Sequence, residues 1–290
     1  MRTIEILCLS GGGARTVSYV GVFKKLEELK ESKKINIDIK EISGVSAGSI
    51  FGLGYIIGLS ADDFKSELLL KDFDSLRDFR YSKMFSSYGF ETGKNMISWI
   101  ESILEKKDYK KDITFKELHD KTNIKFNVLA TNLNKCNSTI FNHINTPDVK
   151  VSKAIRLSIS IPFYFCVERY NNDLHIDGAV IDNYPIKLYK DDLSKVLGIK
   201  IVNHGEYPYH TIDKTINSFD SYIYNVIYCF VINKEKETTI NECYKPYTVY
   251  LQINNKRSNF MLTNDEKEEF INIGYTYCEK YFCDQHSISL

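Results

Sequence analysis

Ile42-Ser43-Gly44-Val45-Ser46-Ala47-Gly48-Ser49 carries a serine between two glycines, as Gly44-x-Ser46-x-Gly48. Its flanks decide how it is read. Before it, Ile37-Asp38-Ile39-Lys40-Glu41-Ile42 alternates apolar and polar residues, the period of a strand. After it, Ser49 to Leu59 is mostly apolar, as suits a buried helix. A strand that stops, reverses and enters a helix so quickly leaves the corner residue strained, with its side chain outward. Side chains at 44 or 48 would crowd that turn, so glycine belongs at both. Two readings stand: Ser46 is a nucleophile exposed on the corner, or it merely caps a core helix.

Upstream, Ile4-Glu5-Ile6-Leu7-Cys8-Leu9 reads as a central strand and runs straight into Ser10-Gly11-Gly12-Gly13-Ala14-Arg15. Val17, Val20, Gly21, Phe23 and Leu26 then open a helix. Such a loop presents several backbone N–H groups at a positive helix end, which attracts anions. A P-loop would need Gly-Lys-Ser/Thr, and no lysine stands there. A dinucleotide fingerprint would need a third glycine where Thr16 stands, with Asp38 a loose ribose acid. The third reading is an oxyanion hole, which gives Ser46 a partner. Loops after successive parallel strands open on one sheet edge, so the two turns can face each other.

Composition bounds the rest. The 290 residues are 43% apolar and 26% charged, which describes a foldable globular chain. Zero formal net charge argues against nucleic acid as a partner. It leaves a membrane surface open, since interfacial binding rests on aromatic and aliphatic side chains. Seven cysteines with no C-x-x-C pair suit reduced thiols in an intracellular protein. Met1 to Leu9 contains Arg2 and Glu5 and does not read as a signal peptide. Residues 42–61 carry no charge, but their helical part is too short for the ~20 residues a bilayer crossing needs.

Further along, Ser60 caps a helix, and Asp72 to Gly93 is charged, aromatic and irregular. That stretch is a lid, an interfacial surface or ordinary packing between short helices. Lys94 to Lys107 and Thr114 to Lys121 read as amphipathic helices, and Ile124 to Asn132 as the first strand of a hairpin. Val149 to Leu157 is a short helix, and Tyr164 to Tyr170 a strand. Leu174-His175-Ile176 resumes pairing and delivers Asp177-Gly178-Ala179 at its end. Val196 to Val202 and Tyr247 to Ile253 read as strands, and residues 212–232 as an aromatic-rich helix too polar to span a membrane. Thr263-Asn264-Asp265-Glu266 is a capping box, with Phe270, Ile271, Tyr277 and Tyr281 as the buried stripe that follows. Alternating strands and helices argue for one α/β domain over 1–290.

A serine hydroxyl needs a base in contact. The candidates after Ser46 are His119, His143, His175, His204, His210 and His286, and none sits in a small-residue turn. His175 reads as a paired surface or core residue. Asp177 stands at a strand end before two small residues, where a carboxylate points freely into a cleft and can take the proton directly. Asp177-Gly178 is equally the dipeptide of a plain turn.

Taken together, these stretches resemble the patatin-like phospholipase family. Ser10 to Arg15 is similar to its Gly-Gly-Gly-x-Arg loop, and Gly44 to Ser49 to its nucleophile motif. Ser158-Ile159-Ser160-Ile161-Pro162-Phe163-Tyr164-Phe165 resembles its Ser-x-Ser-x-Pro-x-x-Phe segment. Asp177-Gly178-Ala179, with Asn183-Tyr184-Pro185 trailing, matches its Asp-Gly-Gly/Ala segment. The order and separations also fit, over a motif-bearing core of about residues 4–200. The resemblance implies a three-layer α/β/α sandwich with a mostly parallel central sheet, residues 201–290 completing it. It implies Ser46 as nucleophile and Asp177 as general base, without histidine, metal or cofactor. Gly11, Gly12, Gly13 and Arg15 would form the oxyanion hole, supported by Gly44, Gly48, Gly178 and Ala179. Thr16 replaces the usual glycine and Ala179 the commoner one.

The expected activity is hydrolysis of fatty-acyl esters of phospholipids or lysophospholipids at a membrane or micelle surface. Acyl transfer, triacylglycerol or soluble-ester hydrolysis by the same pair, and a silent lipid-binding protein remain alternatives. The expected location is cytoplasmic or peripheral at membranes, and an activating protein partner stays open.

Overall fold

β1 (Thr3–Leu9) grows from the first apolar run, and the glycine loop after it closes into a 3-10 turn at Gly13–Ser18 before α1 (Tyr19–Glu31). β2 (Asn36–Val45) carries the alternating stretch past Ile42 up to the serine, and α2 (Ala47–Ile56) leaves it. The structure, a computed structural model, describes residues 2–202, 222, 225, 226, 229, 243–253 and 262–287. The helix expected over 212–232 lies almost wholly outside these residues.

Local signals place the next elements. Ser60 and Asp63 form a reciprocal capping box at α3 (Ala61–Leu70). The irregular stretch yields a one-turn α4 (Lys83–Ser87) and a short β3 (Gly89–Glu91). α5 (Lys94–Lys106) follows, then α6 (Phe115–Thr122), opened by a second box between Thr114 and Glu117. β4 (Lys125–Asn132) and β5 (Asn137–Phe141) make the expected hairpin, and α7 (Val151–Ser158) follows. β6 (Phe163–Phe165), β7 (Glu168–Tyr170), β8 (Asp173–Asp177) and the single-turn α8 (Ala179–Asp182) bring the chain past Asp177. β9 (Val196–Val202), β10 (Thr248–Gln252) and α9 (Asn264–Ser287) complete the described elements.

Two expectations change in detail. Tyr164 to Tyr170 is not one strand. The chain leaves β6, which pairs with β3 in a separate small sheet, and bends before β7 joins the main one. Glu91 O and Ser87 O take the N–H groups of Cys166 and Val167 and hold that bend. In α9, Cys278 and Phe282 join Phe270 and Ile271 in the core, while Tyr277 and Tyr281 are only half-buried against it.

The main sheet runs β10-β9-β1-β2-β4-β8-β7, with β5 also on β4. From β10 to β4 every pairing is parallel, and β5, β8 and β7 are antiparallel. β4 organises the site. Leu129 pairs with Val45 on one side and Ile140 on the other, while Ala130 pairs with Thr139 and Asp177. Because β5 takes one edge of β4 from Val128 to Asn132, overlapping the pairings of both β2 and β8, those two strands must share the opposite edge. They run toward each other along it, β2 ending at Val45 and β8 at Asp177.

Side chains alternate across β1 and feed two cores. Leu7 and Leu9 pack with α1, α2 and α9, while Ile6 and Cys8 face Tyr184, Ile186, Tyr189 and Tyr244. Both sheet faces are covered, giving the layered α/β architecture that the sequence implies.

Candidate active site

Ser46 occupies the junction of β2 and α2 at φ 51° and ψ −133°, a conformation L-residues seldom adopt. It is held from several sides. Its N–H donates to Ser158 Oγ at 2.8 Å, and that hydroxyl donates to Leu129 O at 2.6 Å. Its carbonyl accepts from the Ser49 N–H at 2.9 Å and the Ser49 hydroxyl at 2.6 Å. The flanking glycines have no room for a side chain. A Cβ on Gly44 would sit 2.6 Å from Ser49 Cα, and one on Gly48 2.5 Å from Ser10 O.

Asp177 closes β8 opposite this corner. Ser46 Oγ donates to Asp177 Oδ2 at 2.6 Å, across 131 residues of sequence. The other carboxylate oxygen accepts the Ala179 N–H at 2.8 Å. The Asp177 N–H is bound by Ser160 O at 2.8 Å and the Gly178 N–H by Ser158 O at 3.2 Å, so α7 and the turn after it fix this strand end. A Cβ on Gly178 would meet Leu129 O at 2.3 Å. Ser46 is 6% exposed and Asp177 3%. Burial pushes the Asp177 carboxyl up to about 6, and the hydrogen bonds from Ser46 and Ala179 pull against that rise. At neutral pH it is largely a carboxylate, and a more basic one than an exposed aspartate.

The glycine loop lies against the same corner. A Cβ on Gly11 would stand 3.0 Å from Ser46 Cβ. The four loop positions named from sequence differ in what their amides do. Gly11 N–H donates to Asn183 O at 3.2 Å, and Arg15 N–H to Gly12 O at 3.3 Å inside the 3-10 turn. Gly12 and Gly13 N–H have no acceptor among the described residues. Gly13 needs glycine for its φ of 58°. The Arg15 side chain is buried and turned inward, donating to Gly12 O and Ile253 O. The Thr16 hydroxyl donates to Gly13 O at 2.6 Å and ties down the start of the turn.

The histidines with described side chains, His119, His143 and His175, are engaged away from Ser46. His175 is buried with its ring nitrogens near Thr139 Oγ1 and Asp173 O, and burial lowers its pKa. His119 and His143 stack on each other at 3.7 Å. His204 and His210 lie outside the described residues. Among the described residues no histidine bonds Ser46 or Asp177, and no cluster of three His, Cys, Asp or Glu could hold a metal ion.

Two supporting residues, Ser158 and Asn183, have roles that the sequence does not predict. Both stand inside motif stretches, Ser158 to Phe165 and Asp177 to Pro185, but spacing alone does not say that one hydroxyl braces Ser46 or that one carbonyl clamps Gly11.

The family model described as patatin-like phospholipase matches residues 7–189, more than half of the chain. An uncharacterized protein of Acanthamoeba polyphaga mimivirus is 33% identical over 270 residues, 92% of this chain and 89% of that one. A probable lipid hydrolase of Invertebrate iridescent virus 6 is 31% identical over 190 residues, 63% of this chain and 62% of that one. The crystal structure of VipD from Legionella pneumophila superposes with a TM-score of 0.62 at 16% identity, covering 98% of this chain and 67% of VipD. That last likeness is one of fold. No helix among the described residues is long and apolar enough to cross a membrane.

Proposed function

Because the chain belongs to the patatin-like phospholipase family, we propose that it hydrolyses fatty-acyl esters of phospholipids or lysophospholipids through Ser46 and Asp177. The observation that carries this reading is the 2.6 Å contact from Ser46 Oγ to Asp177 Oδ2, buried beside the glycine loop. Asp177 Oδ2 takes the serine proton as Oγ bonds to the ester carbonyl carbon. The carbonyl oxygen becomes an oxyanion, toward which the Gly12 and Gly13 N–H groups are the available donors. Each such donor is worth about 2.7–4 kcal/mol in the transition state. The carbon–oxygen bond to the glycerol side then breaks, and the leaving oxygen takes the proton from Asp177. Water bonds to the acyl carbon in the second half, giving its proton to Asp177. The fatty acid departs as Ser46 recovers its proton.

Ser46→Ala and Asp177→Asn are each expected to lower turnover by roughly four orders of magnitude. His204→Ala and His210→Ala are expected to retain it. Fatty-acid release from vesicles of defined phospholipid, lysophospholipid or triglyceride is the measurement. An inactive histidine variant beside an active Asp177→Asn would sink the two-residue mechanism.

A further inference from the structure

Between Arg77 and Tyr88 the chain turns its aromatic side chains outward. Phe85 is 92% exposed and Tyr81 78%, with Phe79 and Tyr88 also exposed. Phe79 stacks on Phe90 at 4.9 Å and meets Tyr81 edge-on at 4.7 Å, so the rings form a patch. Exposed aromatic patches on a protein surface mark contact sites. Two of the neighbouring rings are held out at a conformational cost. Tyr88 has φ 58° and Phe163, also exposed, φ 65°. Bulky residues avoid this region. Gly89, next to Tyr88, pairs with Phe163 between β3 and β6, so both strained residues flank one strand pair.

Charge around the patch is one-sided. Its acids are engaged: Asp78 accepts the Thr92 and Gly93 amides, and Glu91 holds Arg77. Arg80 and Lys83 make no ion pair among the described residues. The patch is also tied to the catalytic corner. Buried Arg156 donates to Thr92 O at 3.0 Å, Cys166 O at 2.8 Å and Ser160 Oγ at 2.6 Å, and Ser160 O holds the Asp177 N–H.

We propose that this patch docks the chain on an anionic lipid bilayer. Tyr81, Phe85 and Tyr88 enter the headgroup region, and Arg80 and Lys83 meet lipid phosphates. The inference rests on the lipid-hydrolase reading and names the surface that brings its site to substrate. Full-length Ser46→Ala protein, which consumes no lipid, is sedimented with phosphatidylcholine vesicles with and without phosphatidylglycerol. It is expected to bind the anionic vesicles. Arg80→Gln and Lys83→Gln in that background are expected to weaken binding about fivefold for each cation removed. Tyr81→Ser, Phe85→Ser and Tyr88→Ser together are expected to weaken it at least about tenfold. Thermal melts check that these exposed changes leave the fold intact. Phe85→Trp, which adds a ring instead of deleting one, is expected to be quenched by brominated lipid. Failure of the Ser46→Ala protein to bind, binding indifferent to these changes, or a tryptophan at 85 that stays in water would each overturn the proposal. Wild-type turnover of a soluble short-chain ester needs no bilayer, so it reports on Ser46 and Asp177 separately.

Discussion

At Asp177 the physical environment and the proposed chemistry make linked demands. Burial lifts its carboxyl from 3.8 to about 6, so the native state favours the protonated form. Stability from this residue is therefore present below about pH 3.8 and is lost as the pH rises through about 6. Above that, the folded protein carries a buried charge that costs about 3 kcal/mol. Asp177→Asn has no such dependence. Its stability relative to wild type is expected to rise by up to about 3 kcal/mol between about pH 4 and 8, as read by urea unfolding. The same titration is expected to give kcat/KM an acid limb near pH 6. A stability difference indifferent to pH would place the carboxylate in an ordinary setting. The turn around Ser46 and the strand end at Asp177 are legible in the sequence, because small residues and alternation signal both. Which amides stay free is not. Gly11 and Gly13 look alike in a run of glycines, and only the distant Asn183 separates them.

At the scale of elements, β4 aligns the site by offering consecutive residues, Leu129 and Ala130, to strands arriving from opposite directions. A one-residue slip of β8 would turn Asp177 to the other sheet face. α7 and the turn after it prevent this through Ser160 O and Ser158 O, which accept the Asp177 and Gly178 N–H groups, while the Ser158 hydroxyl braces the facing corner by linking Ser46 N–H to Leu129 O. Ser158→Ala strands a buried N–H and is expected to cost about 1–3 kcal/mol by urea unfolding. A relaxed corner should lower kcat on a soluble ester more than it raises KM. Equal stability and unchanged kcat would show that Ser158 is not a brace. Element type reads well here because caps at Ser60, Thr114 and Thr263 mark their helices. The division of 164–170 between two sheets does not, since the acceptors that bend it, Ser87 O and Glu91 O, lie far away in sequence.

Across the whole molecule, the last helix bears on the first loop. α1 and α9 cross where glycine meets backbone on both sides. A Cβ on Gly21 would lie 1.8 Å from Ile271 O, and one on Gly274 1.8 Å from Ser18 O. Lys25 adds a bridge to Glu279 at 2.8 Å, and Tyr275 donates to Glu28 at 2.8 Å. Gly274→Ala is expected to force the helices apart at a cost of about 1–3 kcal/mol by urea unfolding, and to lower turnover as the glycine loop shifts. Wild-type stability in that variant would mean the crossing is slack. Sequence shows the stripe of α9 but not this pairing, because a glycine that admits another backbone is identical in print to one in a turn.

The crossing also orders events in time. Ser46 and Asp177 are both synthesised before α9, and the helix behind the glycine loop has no α9 to rest on until residues 264–287 have been made as well. A chain released early, for example after residue 262, is expected to be silent in the soluble-ester assay. Synthesis would thus act as its own safety catch, with the candidate site braced only once α9 has been added.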